Sequence, residues 1–321
     1  MVKVPLICMV VPCYNEEDNV EPLYQRIAAV MSEIPEVRFQ VLFIDNASTD
    51  RTQERLRMLA AADRRVQVIF NVRNFGPLRS PLHAIFAAEG DAVIPMCCDL
   101  QDPPELLKEF VRLWRSGFKV VTAVKPASRE SALMFAVRRA YYRLLNKISE
   151  TPLIENFTGF GLYDREVIEL LRGIPDRRPY LRGLIAELGF IRAEVPFVQP
   201  QRVHGITKNN WYALYDVAMT GLTSHSRVPL RLATMAGFML GLFSLFVALA
   251  YLAVKLMFWN SFALGQAPVL IGLFFFGSAQ MFFIGILGEY IGAIHAQIHP
   301  RPWVIERERL NFNKEPPEVE D

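Results

Sequence analysis

Charge is scarce over one long stretch of this chain. Between Leu232 and Gly292, 61 residues carry only Lys255 and Glu289, whereas the other 260 residues hold 66 of the 68 charged side chains. That remainder, about one charge in four, has an ordinary globular composition. The net charge is only +2 over 321 residues, so no basic field argues for nucleic acid as a partner. Cysteine is scarce too. Cys8, Cys13, Cys97 and Cys98 are too few for a disulfide framework and form no CxxC pair. A reduced, cytosolic setting is expected. Val2 to Pro12 is too short for a signal peptide, and acidic Asn15-Glu16-Glu17-Asp18 stands where a cleavage site would be. No GxxxxGK[ST] loop occurs, and Gly159-Phe160-Gly161 has Asp164 where the last glycine of GxGxxG belongs. These absences argue against P-loop hydrolysis and NAD chemistry.

The length allows about two structural units at roughly 150 residues each. The 52% hydrophobic share and mean hydropathy of +0.19 are high for a purely soluble chain. Leu232 to Val254 is uncharged and would make about 34 Å of helix at ~1.5 Å per residue. That exceeds the ~30 Å hydrocarbon core of a bilayer. Ala267 to Gly288 is a second uncharged run, and Lys255 to Gln266, with Trp259, reads as the turn between them. The plain alternative is a buried helical hairpin. Arg227 and Arg231 precede the first run and Arg301, Arg307 and Arg309 follow the second, which puts both chain ends in the cytoplasm. Ahead of the runs, Trp211, Leu214, Tyr215, Ala218, Met219 and Leu222 form one apolar helical stripe. It suits a membrane interface or, equally, packing on the soluble domain.

The first 230 residues alternate strand-like and helical patterns. Leu6–Val11, Phe39–Ile44, Val66–Phe70, Ala92–Met96 and Phe118–Val124 are short runs rich in Val, Ile and Phe. Val20, Leu23, Ile27 and Val30 keep helical spacing, as do Leu106, Phe110, Leu113 and Trp114. Such alternation predicts a mostly parallel, doubly wound α/β sheet. Ligands of these sheets bind at the carboxyl ends of strands, which singles out residues 12–17, 45–50, 97–102 and 125–131.

Asp99 and Gln101 stand two apart behind a strand, so their oxygens point the same way. They suit Mg²⁺ or Mn²⁺, which takes its other ligands from water and substrate phosphates. An ordinary turn aspartate is the plain alternative for Asp99. Asp102-Pro103-Pro104-Glu105 reads as a helix start capped by Asp102. Asp45, Asn46 and Asp50 read either as a turn and cap or as a base- or ribose-binding loop. Lys125-Pro126-Ala127-Ser128-Arg129 reads as a cationic loop that could close over an acceptor phosphate, with solvated arginine as the alternative.

Together these residues resemble a family. Val11-Pro12-Cys13-Tyr14-Asn15-Glu16-Glu17, Ile44-Asp45-Asn46-Ala47-Ser48-Thr49-Asp50 and Asp99-Leu100-Gln101-Asp102-Pro103-Pro104-Glu105 resemble family 2 inverting glycosyltransferases of GT-A fold. Within them the chain is most similar to polyprenyl-phosphate glycosyltransferases. Arg202-Val203-His204-Gly205-Ile206-Thr207-Lys208 resembles their R-x-x-G-x-[ST]-K element, and Leu287–Gly292 with Arg301-Pro302 resembles the end of bacterial two-span members.

The resemblance implies that Pro12, Tyr14, Glu16, Ile44 and Asn46, with Asp45, hold the nucleoside. Cys97, Cys98 and Asp99 would line the diphosphate and metal, with Gln101 a further metal ligand. Lys125, Arg202 and Lys208 would neutralise phosphates. On the loop reading, Ser128 and Arg129 are expected to hold the acceptor phosphate, with Asp99 and Arg129 the residues expected to serve catalysis. Two departures stand out. The family's D-x-D is Cys97-Cys98-Asp99 here, and its G-D-F-R-L is Thr158-Gly159-Phe160-Gly161-Leu162. The second is chemically tolerable: a phosphate monoester has a second pKa near 6 and is already nucleophilic at pH 7 without a general base.

The expectation is therefore a cytoplasmic GT-A domain over 1–208, a juxtamembrane amphipathic helix over 209–230, a two-helix transmembrane hairpin over 231–292 and a cytoplasmic tail over 293–321. Such a protein would move a sugar, glucose from UDP-glucose by resemblance, onto undecaprenyl phosphate or another polyprenyl phosphate. It would sit in the plasma (inner) membrane as a homo-oligomer, a tetramer by resemblance. Two other readings remain. One is a catalytically silent nucleotide-sugar sensor or scaffold. The other is a processive polysaccharide synthase, which would need a longer helix bundle and a Q-x-x-R-W motif, and the chain has neither.

Overall fold

The computed structural model describes residues 4–125, 154, 156–174, 181–200, 228–257, 266–298 and 303–312. These fall into two compact units, one holding every described strand and one holding the two longest helices.

In the first unit the chain runs β1 (Leu6–Cys13), α1 (Val20–Ser32), β2 (Arg38–Asp45), α2 (Thr52–Ala62), β3 (Val66–Asn71), α3 (Gly76–Ala87) and β4 (Ala92–Pro95). A 3₁₀ turn at Pro104–Leu106 leads into α4 (Leu107–Arg115), β5 (Val120–Val124), β6 (Phe157–Asp164) and α5 (Arg165–Arg172). Then come α6 (Leu181–Glu187), β7 (Arg192–Pro196) and, after the second unit, β8 (Glu306–Leu310). The strands form one sheet in the order β7-β5-β6-β4-β1-β2-β3-β8. β1 pairs in parallel with β2 and β4, β2 with β3 and β5 with β7, while β6 and β8 run antiparallel to their neighbours.

The central strands are apolar without alternation because both faces are covered. Ile7, Met9 and Val11 of β1 point into one core with Val41 and Phe43 of β2, while Cys8 and Val10 join Leu42 and Ile44 on the other face. Residues of α1, α2 and α4 (Leu23, Leu56, Phe110) close the first core, and residues of α3, α5 and α6 (Leu82, Ile168, Leu184) close the second. Each fully buried Leu or Phe contributes about 1.5–3 kcal/mol. The five predicted strands and both helical patterns are present within a few residues of their expected bounds.

Three strands escaped the sequence reading. β6 contains Gly159 and Gly161, and β7 and β8 are short and charged, so none shows an apolar run. β8 holds four charges in five residues, a composition suited to a sheet edge that must not pair with another chain. The segment expected to be a tail over 293–321 thus contains a strand of the sheet.

In the second unit both uncharged runs are helical, in α7 (Val228–Met257) and α8 (Gln266–Ile298). Phe238, Phe246, Met281 and Phe282 on these helices are at least 66% exposed. Several side chains within both helices lie outside the described set. Among the described residues, no helix is long and apolar enough to cross a membrane. The apolar stripe predicted before α7 lies outside the described residues; of the turn expected over Lys255–Gln266, Lys255–Met257 and Gln266 are helical and 258–265 lie outside the described residues.

Gly161 faces Thr122 across the β5–β6 pair, and a Cβ on it would stand 2.3 Å from the Val121 carbonyl oxygen. Since backbone cannot yield as a flexible side chain would, Gly161→Ala should lower stability by about 1–3 kcal/mol, read as a fall in the thermal unfolding midpoint.

Candidate active site

The loops after β1 and β2 are stitched together by hydrogen bonds. The Asn46 amide donates to the Cys13 carbonyl at 2.9 Å, the Asn15 amide to Ser48 Oγ at 2.9 Å and the Glu16 amide to Thr52 Oγ1 at 2.8 Å. The Thr49 amide returns to Asn15 Oδ1 at 2.8 Å. Asn15 and Ala47 hold φ near +60°, a strained choice for a residue other than glycine. The result is a fixed double loop carrying half-buried Pro12, Tyr14 and Glu16 at its rim.

Asp45 lies beneath this double loop, fully buried. Its carboxylate accepts from the Ser48 amide at 3.2 Å and from Gln53 Nε2 at 2.8 Å. Burial raises its pKa, and those donors oppose the shift. Two expected nucleoside contacts are spoken for. The Ile44 side chain is fully buried in the core, which leaves only its backbone for a ligand. The Asn46 Oδ1 accepts from Asn71 Nδ2 and the Phe75 amide, and its Nδ2 donates to Asn74 Oδ1 and the Gly76 carbonyl. Asn46 therefore ties β2 to the start of α3.

The segment after β4 turns sharply at Leu100, with φ of +61°. Asp99 is 5% exposed, and its Oδ1 accepts from the Gln101 amide at 3.2 Å. Asp102 is not the predicted helix cap. Its Oδ2 turns back to accept from the Cys97 amide at 2.8 Å, and Pro103 takes the position ahead of the 3₁₀ turn without any side-chain cap. Burial pushes the Asp102 carboxyl up to about 6, with the charge of Asp99 adding to it and the Cys97 amide and Lys125 opposing it. Asp99 and Asp102 thus stand near enough for the charge of one to raise the pKa of the other's buried carboxyl.

Cys97 is exposed, and the charge of Asp102 is the main cause that raises its thiol pKa. Cys98, by contrast, is buried in the same core as Cys13, so it can offer a ligand only its backbone. Lys125 stands at the end of β5, where its Nζ donates to Gln199 Oε1 at 2.5 Å. Among the described residues, no group of three or more His, Cys, Asp or Glu could hold a metal. The available hard donors are Asp99, Asp102 and the Gln101 amide oxygen.

A cavity of about 200 Å³ opens beside this pair. Pro77, Leu78, Pro81 and Leu82 of α3 give it an apolar wall, and Cys97, Asp102, Thr158 and Arg182 give it a polar one. Thr158 Oγ1 is shielded from solvent without a hydrogen-bond partner among the described residues, and Arg182 Nη1 donates to the Phe157 carbonyl at 3.3 Å. The sequence reading missed Arg182, because α6 belongs to none of the motifs and only the fold brings it to the β4 end. Ser128, Arg129, Arg202 and Lys208 lie outside the described residues.

A mixed sheet covered by helices on both faces, with carboxylates and a cavity at the carboxyl ends of its parallel strands, fits the GT-A fold of glycosyltransferases. The chain belongs to glycosyl transferase family 2, whose profile matches residues 8–172. It is 33% identical over 297 residues to the SfII prophage-derived bactoprenol glucosyl transferase of Shigella flexneri, covering 92% of this chain and 96% of that one. It is 31% identical over 297 residues to an uncharacterized glycosyltransferase of Synechocystis sp., covering 92% and 93%. Among solved structures, a mannosyltransferase of Pyrobaculum calidifontis in complex with GDP-Man and Mn²⁺ aligns with a TM-score of 0.47 at 20% identity, covering 92% of this chain and 88% of that one.

The acidic pair has a cost that pH should reveal. Because the folded-state pKa of Asp102 is raised from 3.8 to about 6, the native state holds its proton more tightly than the unfolded state. The carboxylate therefore lowers stability as pH rises through that window. Asp102→Asn keeps an acceptor for the Cys97 amide and removes the charge. In chelator, it should match the wild-type pH trend below about pH 4, then gain through the window to a plateau of about 1–3 kcal/mol above pH 6. Denaturant unfolding of both proteins between pH 4 and 8 measures this.

Proposed function

We propose that the protein transfers glucose from UDP-glucose to undecaprenyl phosphate, with inversion at the anomeric carbon, at the cytoplasmic face of the plasma membrane. The observation that carries the reading is the Asp99–Asp102 pair at the carboxyl edge, flanked by Lys125, in a chain 33% identical along 92% of its length to a bactoprenol glucosyl transferase. Such an acceptor supplies its own nucleophile, since a phosphate monoester is largely dianionic at neutral pH. This fits a strand, Phe157–Asp164, that offers Thr158, Gly159 and Gly161 where relatives offer a carboxylate. The chain's task is then to hold two anions together and to stabilise the departing nucleoside diphosphate.

The double loop of residues 13–17 and 45–49 would receive the nucleoside. The cavity beside it, polar at Thr158 and Arg182, would receive the sugar. Lys125, with Arg202 and Lys208, would offset phosphate charge, and Ser128 and Arg129 would grip the acceptor phosphate, bidentately for the arginine. Asp99 and Gln101 fit Mg²⁺ or Mn²⁺ as hard oxygen donors, with Asp102 beside them in the place of the carboxylate replaced by Cys97. When bound, the ion would neutralise charge developing on the diphosphate.

A membrane anchor is part of the proposal. On the full sequence, the uncharged runs Leu232–Val254 and Ala267–Gly288 would rise about 34 and 33 Å as helix, just more than the ~30 Å hydrocarbon core. The chain carries only Lys255 and Glu289 as charges between Leu232 and Gly292, and arginines flank the runs at both outer ends. A lipid acceptor gives such an anchor its purpose. Homo-oligomerisation within the bilayer belongs to the same proposal. Cys97 in place of a carboxylate is the one feature that favours the silent-sensor reading instead.

Purified protein incubated with UDP-glucose and undecaprenyl phosphate should yield glucosyl-phospho-undecaprenol by mass spectrometry, with UDP release dependent on the lipid. Donor binding without turnover across a panel of nucleotide sugars would favour the sensor. Asp99→Asn should cost about a hundredfold or more in rate, and a chelator should abolish wild-type activity. Arg129→Ala should raise the KM for the lipid while leaving donor affinity within about twofold. Protease added outside sealed inverted vesicles should digest residues 1–225 and spare the hairpin; protection of that region would overturn the orientation.

A further inference from the structure

We infer that β8, the strand that follows the two apolar helices, belongs to the donor site, and that Arg307 is a positioning residue that holds Asp45 through Gln53. The inference rests on the reading of Asp45 as part of the nucleotide site.

The connection is a continuous chain of hydrogen bonds. Arg307 Nη2 donates to Gln53 Oε1 at 2.7 Å. Gln53 Nε2 donates to Asp45 Oδ2 at 2.8 Å and to the Ser48 carbonyl at 3.2 Å. Asp45 accepts the Ser48 amide, and Ser48 Oγ accepts the Asn15 amide. The direction of this chain is fixed by chemistry. A guanidinium can only donate and a carboxylate can only accept, so the glutamine between them must show its oxygen to Arg307 and its nitrogen to Asp45. Without Arg307 that oxygen has no charged donor, and the amide is free to turn over and release the carboxylate.

The strand is built to deliver this residue. β8 runs antiparallel to β3, with Glu306 opposite Asn71 and Glu308 opposite Phe70, so Arg307 is the extra residue at an irregularity in the ladder. A bulge re-aims the side chain it carries, and bulges gather beside functional sites. The neighbours of Arg307 do the anchoring. Glu306 pairs with His83 of α3, Glu308 pairs with Arg57 of α2, and Asn311 Nδ2 donates to the Ala60 and Val66 carbonyls. Arg307 lies 5.7 Å from the Phe70 ring, over which Arg57 also stacks at 4.5 Å. Its positive charge is one of the influences that offset the burial of Asp45. Anchoring is thus shared among three residues of the strand segment, whereas Arg307 bonds Gln53 at the start of α2 and through it connects to Asp45 and Ser48.

The test uses the full-length protein with UDP-glucose and undecaprenyl phosphate as substrates. Arg307→Ala should raise the donor KM about fivefold while kcat and the lipid KM stay within about twofold, a loss confined to donor binding. Arg307→Lys, which keeps a donor at that place, should recover most of the affinity. The pair Arg307→Ala and Gln53→Ala should be no worse together than Gln53→Ala alone, because both cut one chain. Arg57→Ala loosens the same strand without touching Gln53 and should leave the donor KM unchanged.

A readout independent of any ligand is hydrogen exchange at the Ser48 amide. It should quicken about tenfold or more in Arg307→Ala but not in Arg57→Ala. Unchanged Ser48 exchange in Arg307→Ala overturns the inference, as does an equal effect of Arg57→Ala, which would make the role that of a strand anchor. Asp45→Ala separates the two layers of the argument. If Asp45→Ala leaves the donor KM unchanged, the nucleotide reading of Asp45 falls. If it raises the KM and Arg307→Ala does not, the positioning role falls alone.

Discussion

A sheet covered by helices on both faces leaves no room for polar chemistry except at the ends of its strands, and the organisation of the site follows from that constraint. β1 and β2 bury side chains alternately into two cores, Met9 and Val41 into one and Val10 and Leu42 into the other. In the central strands β1–β4, charge appears only where the strands start or stop. Asp45 ends β2, Asp99 and Asp102 follow β4, and Lys125 follows β5, so parallel strands bring residues distant in sequence to one edge. The cores also decide which neighbours are withdrawn. Ile44 and Cys98 sit at the same edge but face inward, and their side chains are lost to any ligand.

After β4 the chain folds a carboxylate back onto its own backbone: Asp102 accepts the Cys97 amide. Burial of the Asp102 carboxylate, with the charge of Asp99 adding to it, pushes Asp102 up to about 6. A stability optimum would remove that buried charge. Its persistence at the mouth of a cavity is the pattern of a binding site, where stability is given up for charge that a ligand can use.

β8 joins the end of the chain to its beginning. The strand pairs with β3 and its side chains reach α2 and α3. The last described residues thereby become part of the sheet that the first residues started, although the apolar helices α7 and α8 come between them in sequence. A charged edge strand of this kind covers the exposed ladder of β3 and brings Arg307 within a single glutamine of Asp45.

The alternation of apolar runs with helical spacing was enough to give the α/β class, five of the eight described strands and the carboxyl-edge loops, because burial on both faces writes itself into consecutive residues. That Asp99, Gln101 and Asp45 stand at the carboxyl ends of strands was legible for a related reason: the apolar run stops and a polar group follows it. β6, β7 and β8 were not legible, since glycine at 159 and 161 and charges in Arg192–Pro196 and Glu306–Leu310 hide the strand period. Nor could sequence spacing tell that Asp102 would turn back to Cys97 instead of capping a helix, that Asn46 would be consumed by Asn71 and Phe75, or that Arg182 would line the cavity. Local patterns record what each segment buries. Which polar groups meet depends on the order of strands in the sheet, and that is fixed by long-range packing among segments up to 250 residues apart, which no local window contains.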